Sequence, residues 1–360
     1  MEIENIRDRI KKNKGGYFFL FILSLIYKFL FKFKKNLYKK NIIKSIKFSK
    51  PVVCVGNIST GGTGKTTFVL SLSRKLSNTK IKHCIVLRGY KSKLSKNEVA
   101  DINENNFENQ IKNPYLSDEH KLIAISVKGN SVPVIASKNR AKSIEFAINN
   151  YHPDLIVMDD GFQNFSITKD LNILIFNINK INDKLLPLGN LREGYDAIKG
   201  SDFVVLNHCE LFDDSYIDDR INFFKKYINS DRIIKSYYEP SALIDLIENK
   251  RIPINSFNHK DIAIFSAIGD NSQFKKLIEK MGFNVLKSWQ FSDHHSYTRE
   301  ELVSINNLRN GLPLITTLKD SVKFMSDVKE IFLNDIYAFE IEMKCDSDMI
   351  IKHIQSINKS

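Results

Sequence analysis

Residues 51–68, PVVCVGNISTGGTGKTTF, decide how this chain folds. Val52, Val53, Cys54 and Val55 form a short apolar run between Pro51 and Gly56, which predicts a buried strand. A glycine-rich turn follows, then the start of a helix. Gly61, Gly62 and Gly64 let the backbone curl so that several N–H groups point at one spot. The helix behind them adds its positive N-terminal end. Lys65 can reach phosphate oxygens, and the Thr66 hydroxyl can sit on Mg2+. Ser59, Thr60, Thr63 and Thr67 complete a nucleotide-binding stretch over 59–67. The strict G-x-x-x-x-G-K-[ST] pattern fails at its first position, where Ser59 replaces glycine. The GG-T-GKTT core and its strand–turn–helix setting outweigh that miss. The plain alternative is a glycine-rich turn with an incidental lysine.

Downstream, strands and helices alternate. Residues 83–87 read as a strand ending in Arg88-Gly89-Tyr90, and 132–136 as another, followed by a helix over 138–149. Residues 91–117 are polar and read as a loop or lid, with Ser117 able to cap a helix that opens at Asp118-Glu119. Residues 155–158 are an apolar strand ending in Asp159-Asp160-Gly161-Phe162-Gln163; 171–176 and 203–206 are further strands. Near-continuous apolar strands between helices predict a mostly parallel sheet covered on both faces. In such sheets ligands bind beyond the carboxyl ends of the strands. The phosphate loop, Arg88, Asp159, Asp160 and Asn207 all follow strands, so they converge on one edge. Residues 233–238 read as a connecting strand, and a second α/β unit begins near Asp261.

The expected fold is therefore α/β with two α/β domains. A basic, apolar arm spans 1–50, a P-loop-type domain 51–235 and a smaller domain 236–360. At 360 residues the chain is long enough for two cores. The net charge of +13 is local: residues 1–50 hold fourteen Lys/Arg against three acids. A basic stripe on a folded face, as nucleic acid would require, is not indicated. Cys54, Cys84, Cys209 and Cys345 are far apart and form no C-x-x-C pair, so they read as reduced thiols.

Within the arm, residues 17–27, YFFLFILSLIY, are too short on their own to span a bilayer comfortably. Beyond them Lys28, Lys32, Lys35 and Lys39 recur in the same rhythm as Ile26, Leu30, Phe33 and Leu37, offset by two residues. Two residues are about 200° on a helix, so lysines and apolar side chains face apart. That describes a helix in a membrane interface, its lysines near anionic headgroups. A signal peptide would need a small-residue cleavage site, which does not follow. A plain core helix would rarely carry so many lysines.

An apolar strand ending in aspartate suits a metal-holding acid facing a phosphate loop, which makes Asp159 and Asp160 the candidates. A doubled aspartate can also simply begin a turn. A kinase further needs a group to orient and deprotonate an acceptor hydroxyl. Asp118 and Glu119 open a helix in the first domain, and Asp293-His294 follow a strand in the second. One carboxylate and one imidazole could meet if the two strand-end surfaces face each other.

The ordered set VGNISTGGTGKTTF, LRGY, SDEHKL, VMDDGFQN, LPLGNLREG, SAIGDNSQF, FSDHHSY and TLKDSVKF resembles the tetraacyldisaccharide 4′-kinase family. The resemblance runs from about residue 15 to about residue 330. It implies transfer of the ATP γ-phosphoryl group, with Mg2+, to the 4′-hydroxyl of a tetraacyldisaccharide 1-phosphate in lipid A synthesis. It places the enzyme on the cytoplasmic face of the bacterial inner membrane. Carried over by motif, Asp118 is the general base with Glu119 beside it as a metal candidate. His294, next to Asp293, orients and tunes Asp118. Arg88, Tyr90, Gln163, Arg192 and Asp293 line the substrate cleft, and Arg192 stabilises charge there. The partners implied are a lipid substrate and an anionic membrane surface, with no nucleic acid and no obligate protein partner. Two positions depart from the family pattern: His120 stands for its proline and Asn164 for its histidine.

Two rival readings remain from sequence. A membrane-associated partitioning or targeting ATPase shares the GG-x-GKTT core, but would carry lysine where Thr60 stands and would lack the second domain's Asp-His pair. A binding module with a degenerate nucleotide site is disfavoured because Lys65, Thr66, Asp159 and Asp160 are all present.

Overall fold

The computed structural model describes residues 2–60, 63–89, 92–248, 250–268, 271–292, 295–325 and 327–359. In chain order the elements are α1 (Glu2–Lys11), α2 (Lys14–Lys39), β1 (Val52–Gly56), α3 (Lys65–Asn78), β2 (His83–Arg88), β3 (Ala100–Ile102), α4 (Phe107–Ile111), α5 (Asp118–Val127), β4 (Val134–Ser137), α6 (Arg140–Tyr151), β5 (Leu155–Asp159), β6 (Leu171–Asn177), β7 (Phe203–Asn207), α7 (Asp214–Phe224) and β8 (Ile233–Asp245). They continue as β9 (Lys250–Pro253), β10 (Asp261–Ser266), α8 (Asn271–Lys280), β11 (Asn284–Gln290), α9 (Arg299–Leu308), β12 (Leu314–Thr317), α10 (Leu318–Ser321), α11 (Val328–Ile331), β13 (Ile336–Cys345) and α12 (Asp348–Lys359).

The chain divides into two compact units: 1–107, 123–238 and 343–360 form the first, and 108–122 with 239–342 form the second. These bounds differ from a single cut at 235/236. The C-terminal α12 belongs to the first unit because it buries Ile350 and Ile354 there. The Ser71 hydroxyl donates to Met343 O (2.9 Å) and Lys75 to Cys345 O (3.1 Å), fixing the return.

In the first unit the strand order is β8-β7-β6-β1-β5-β2-β4-β3. All neighbours are parallel except β3, which pairs antiparallel with β4. Residues 91–117, expected as a loop, thus contain an edge strand and the short α4. Alternation carries the core. Val52, Cys54, Cys84, Val86, Ile156 and Met158 face one way, where α6 and α7 supply Ile144, Ala147, Ile217 and Phe224. Helices cover both sides of the sheet. Burial lifts the thiols of Cys54 to about 11 and Cys84 to about 12, so neither is a nucleophile at neutral pH.

His83 opens β2, and its ring reaches α3. Its Nδ1 donates to Ile81 O (3.0 Å), and Nε2 accepts from the Ser73 hydroxyl at 2.7 Å. Burial lowers its pKa from the ordinary 6.5. Between the lowered value and 6.5 the unfolded chain binds more protons than the folded one, so stability rises with pH there. The urea midpoint should therefore fall as pH drops below 6.5, and fall less in His83→Gln; identical pH slopes below 6.5 would remove His83 from the acid response.

In the second unit β11-β10-β12-β13-β8 run in that order, with β9 antiparallel on β8. Ala263 and Phe265 face α9 (Leu302, Ile305), while Ile262 and Ile264 face α8 (Phe274, Ile278). Its motifs meet at the strand ends. The buried Asp320 carboxylate accepts from Ala267 N (2.9 Å) and Thr317 Oγ1 (2.7 Å) and pairs with Lys323 (2.7 Å). Asn271 Nδ2 donates to Phe291 O (2.8 Å), and His295, stacked on Phe291, holds Glu301 at 2.9 Å.

The arm runs further as a helix than its apolar run suggested. α2 has 26 residues and is, by length and composition, apolar enough to cross a membrane. One face docks on the first unit: Leu20 and Ser24 are buried, Tyr27 OH donates to Arg192 O (3.0 Å), and Phe31 packs edge-on to Phe165 at 5.7 Å. Ile26, Leu30 and Phe33 are 49–59% exposed, together with Phe18, Phe19, Leu25 and Phe29. Lys28, Lys32 and Lys39 are exposed on a flank between the docked and apolar faces. Lys35 departs from the pattern and turns to Glu193.

Candidate active site

The glycine-rich loop begins where β1 ends. Gly56 is the close-approach point: a Cβ there would lie 2.7 Å from Phe162 Cβ. Asn57, fully buried, donates through Nδ2 to Thr63 Oγ1 (3.0 Å) and more weakly to Ser59 Oγ (3.5 Å). Gly61 and Gly62 lie outside the described residues. Gly64 has φ +85 and N-caps α3, whose first residues are Lys65, Thr66 and Thr67. Asn207, at the end of β7, donates to Thr63 O and to Tyr238 OH, each at 3.0 Å. The Tyr238 hydroxyl also hydrogen-bonds Thr67. The loop is therefore braced from beneath by β7 and β8.

Two neighbouring strands supply charge. Asp159 ends β5 almost fully buried, and Asp160 follows at φ +49, a strained conformation for a side-chain-bearing residue. Arg140, the first residue of α6, holds that turn through Nη2 to Asp159 O (3.0 Å) and Asp160 O (2.7 Å). Burial lowers the Arg140 pKa, and the nearby Arg88 charge lowers it further against the opposing aspartates. Lys65 Nζ lies 3.6 Å from Asp160 Oδ1, and Arg192 Nη1 lies 3.1 Å from the same oxygen. Gln163 accepts from Arg192 (3.3 Å) and donates to Asn57 O (2.8 Å) and Glu193 Oε1 (3.1 Å). Arg88 ends β2 with an exposed side chain, on the same strand-end edge.

The structure thus gathers Ser59, Thr60, Thr63, Gly64, Lys65, Thr66, Thr67, Arg88, Asp159, Asp160, Gln163 and Arg192 in the first unit. Tyr90, Asp293 and His294 lie outside the described residues. Asp118 and Glu119 belong to the second unit, exposed in the first turn of α5. That turn is not capped by Ser117's hydroxyl, which finds no partner among the described residues. The His120 ring does the work: its Nδ1 accepts from Ser117 N at 3.2 Å, in the place a glutamate takes in a capping box. Asn164 accepts from Ser166 Oγ at 2.7 Å, so both departures from the family pattern serve local turns. Sequence reading missed Arg140, Asn57, Glu193 and Tyr238. The only available sign of Arg140 was its position one residue after Asn139, the cap of α6.

A loop that enters a helix N-terminus through a left-handed glycine, with a lysine and an arginine meeting an aspartate at the neighbouring strand end, is the arrangement of a P-loop-type fold. The chain belongs to the tetraacyldisaccharide-1-P 4′-kinase family, whose model matches residues 17–359. The tetraacyldisaccharide 4′-kinase of Elusimicrobium minutum is 32% identical over 349 residues, covering 96% of this chain and 92% of that one. The enzyme of Aquifex aeolicus is 30% identical over 334 residues, covering 92% and 95%. A crystal structure of LpxK from Aquifex aeolicus in complex with ATP superposes with a TM-score of 0.74 at 29% identity, covering 94% of this chain and 98% of that one.

Proposed function

We propose that the chain transfers the ATP γ-phosphoryl group to the 4′-hydroxyl of a tetraacyldisaccharide 1-phosphate, on the cytoplasmic face of the bacterial inner membrane. The observation that carries this reading is the convergence of Lys65 and Arg192 on Asp160 beside the phosphate loop. Lys65 and the loop N–H groups bind the phosphates. Arg192 offsets charge that grows on the transferring group. Asp118 takes the 4′-hydroxyl proton as that oxygen attacks phosphorus, and ADP leaves. His294 orients Asp118, and Asp293, Tyr90, Gln163 and Arg88 line the cleft.

The donor set fits Mg2+ carried in with the nucleotide. No group of three or more His, Cys, Asp or Glu side chains forms a resident metal cluster among the described residues. Mg2+ in kinase sites needs only one or two carboxylates besides the phosphates, and Asp159 and Asp160 adjoin the phosphate loop. Thr66, Asp159 and Asp160 would hold it, with Glu119 as a further candidate. When bound, it neutralises phosphate charge.

An acylated acceptor requires work at a lipid surface, and α2 supports that. Its exposed apolar face gains about 1 kcal/mol or more per large side chain on entering lipid. Lys28, Lys32 and Lys39 on the flank add about 1 kcal/mol each near anionic lipid. The apolar term dominates. Contacts to the first unit from Tyr17 to Tyr38 favour a helix lying in the interface rather than crossing it.

The test is transfer of labelled γ-phosphate from Mg-ATP to the tetraacyldisaccharide 1-phosphate in detergent micelles. Wild type should phosphorylate the lipid, and Asp118→Ala should lower kcat about a hundredfold with ATP affinity little changed. ATP hydrolysis on bare anionic vesicles without lipid phosphorylation would instead favour the partitioning-type ATPase.

A further inference from the structure

The arm and the phosphate loop are joined by one unbroken polar chain within the first unit. Lys35 Nζ donates to Glu193 Oε2 at 2.7 Å. Glu193 Oε1 accepts from Gln163 Nε2 at 3.1 Å, and Gln163 Oε1 accepts from Arg192 Nη1 at 3.3 Å. Arg192 Nη1 reaches Asp160 Oδ1 at 3.1 Å, and that oxygen lies 3.6 Å from Lys65 Nζ. The Glu193 side chain is 3% exposed, whereas Lys35 is 40% exposed. A buried carboxylate is matched by a cation supplied from a membrane-type helix.

A second set of contacts runs through the backbone. Ser59 pairs with Leu191 in an antiparallel bridge, Thr60 N donates to Asn190 O (2.7 Å), and Arg192 N donates to Ile58 O (2.7 Å). The same segment is gripped by the arm. Arg7 Nη1 donates to Gly189 O (2.9 Å) and Asn190 Oδ1 (2.7 Å), and Tyr27 donates to Arg192 O (3.0 Å). Residues 189–193 therefore lie between the arm and the phosphate loop.

We infer that Lys35 is a positioning residue for phosphoryl transfer: through Glu193, Gln163 and Arg192 it sets the Asp160–Lys65 pair, so that α2 aligns the phosphate site as well as anchoring the chain. The inference rests on the reading of Lys65 and Asp160 as phosphate-handling groups. Without Lys35, the Glu193 carboxylate keeps Gln163 and the electrostatic influence of Lys169 but loses the cation bonded to it at 2.7 Å, and a buried charge stripped of its bonded partner rearranges its surroundings. Gln163 is the nearest group that can give way, and it shares Arg192 with Asp160. A displacement of a fraction of an ångström there falls on the transition state more than on substrate binding.

An anchor and a positioning residue give opposite kinetic signatures. Lys35→Met in the full chain should lower kcat about tenfold in the micelle assay, with KM for the lipid and binding to anionic vesicles within about twofold. Lys28, Lys32, Lys39 and the apolar face remain to hold the vesicle. Lys35→Arg should restore kcat to within about threefold, because a guanidinium still matches Glu193. Unchanged kcat, a raised KM with weaker vesicle binding, or a loss that Lys35→Arg does not restore would each overturn the inference. Lys65→Ala, run alongside, separates the two failures: if it too is active, the phosphate-site reading falls; if it is inactive while Lys35→Met is normal, only the relay falls.

Discussion

Lys65→Ala is expected to lower phosphoryl-transfer kcat about a thousandfold while leaving the urea midpoint within about 1 kcal/mol of wild type. Lys65 is the second residue of the loop's G-K-T core and opens α3, so its ammonium leaves the helix at the N-terminal end where phosphate is favoured. Its side chain is 14% exposed, and its Nζ lies 3.6 Å from Asp160 Oδ1. That is too long for a tight ion pair, and Asp160 also holds Arg192 at 3.1 Å. The aspartate thus keeps one cation when Lys65 is removed, which is why stability barely changes. The missing charge is felt where the γ-phosphoryl group carries its growing negative charge, and no other lysine emerges from α3's first turn to replace it. Single-turnover transfer with saturating Mg-ATP reads the effect directly. Turnover near wild type would remove Lys65 from the phosphate site, and a large loss of urea resistance would make it structural.

How far the site could be read from sequence follows from what each residue does. The strand–turn–helix at 51–68 was legible because an apolar run, a glycine cluster and a lysine are all local signals. Asp159 and Asp160 were legible for the same reason: they end an apolar strand, and β5 proves to neighbour β1 directly. The braces were not legible. Asn207 reaches Thr63 across 144 residues, and Arg140 reaches the Asp160 carbonyl across 20. Such contacts depend on strand order, which no local pattern encodes. The lysines of α2 illustrate the limit. Helical spacing separates them from the apolar stripe, but only the docked body distinguishes Lys35, which finds a buried carboxylate, from Lys28, Lys32 and Lys39. The edge strand β3 was missed because its three residues, Ala100, Asp101 and Ile102, lie within a long polar segment. Its Asp101 is satisfied by Tyr151 and Asn103, again a pairing made by the fold. In sequence His120 was only a departure from the family's proline; the structure gives it the cap of the helix that presents Asp118.

Gly64→Ala should be as damaging as Lys65→Ala, for a different reason. Gly64 holds φ +85, where an alanine costs about 1–2 kcal/mol from its own backbone. Its surroundings add more: a Cβ on Gly64 would overlap Asn207 Nδ2 and the Tyr238 hydroxyl. Neither neighbour can retreat cheaply. Asn207 is fully buried and already committed to Thr63 O, and Tyr238 is bonded to both Asn207 and Thr67. The remaining relief is for the loop itself to lift, which carries Thr63 and the first turn of α3 away from the phosphate position. ATP affinity measured by equilibrium dialysis should fall about a hundredfold, and the urea midpoint should drop by the equivalent of about 2–4 kcal/mol. The double variant Gly64→Ala/Tyr238→Phe separates the two causes. Removing the hydroxyl clears one of the two overlaps, so part of the lost stability should return. The strained φ and the Asn207 overlap persist, so ATP affinity should stay well below that of wild type. A single Gly64→Ala variant that binds ATP normally would show that the loop does not need the left-handed glycine to receive phosphate.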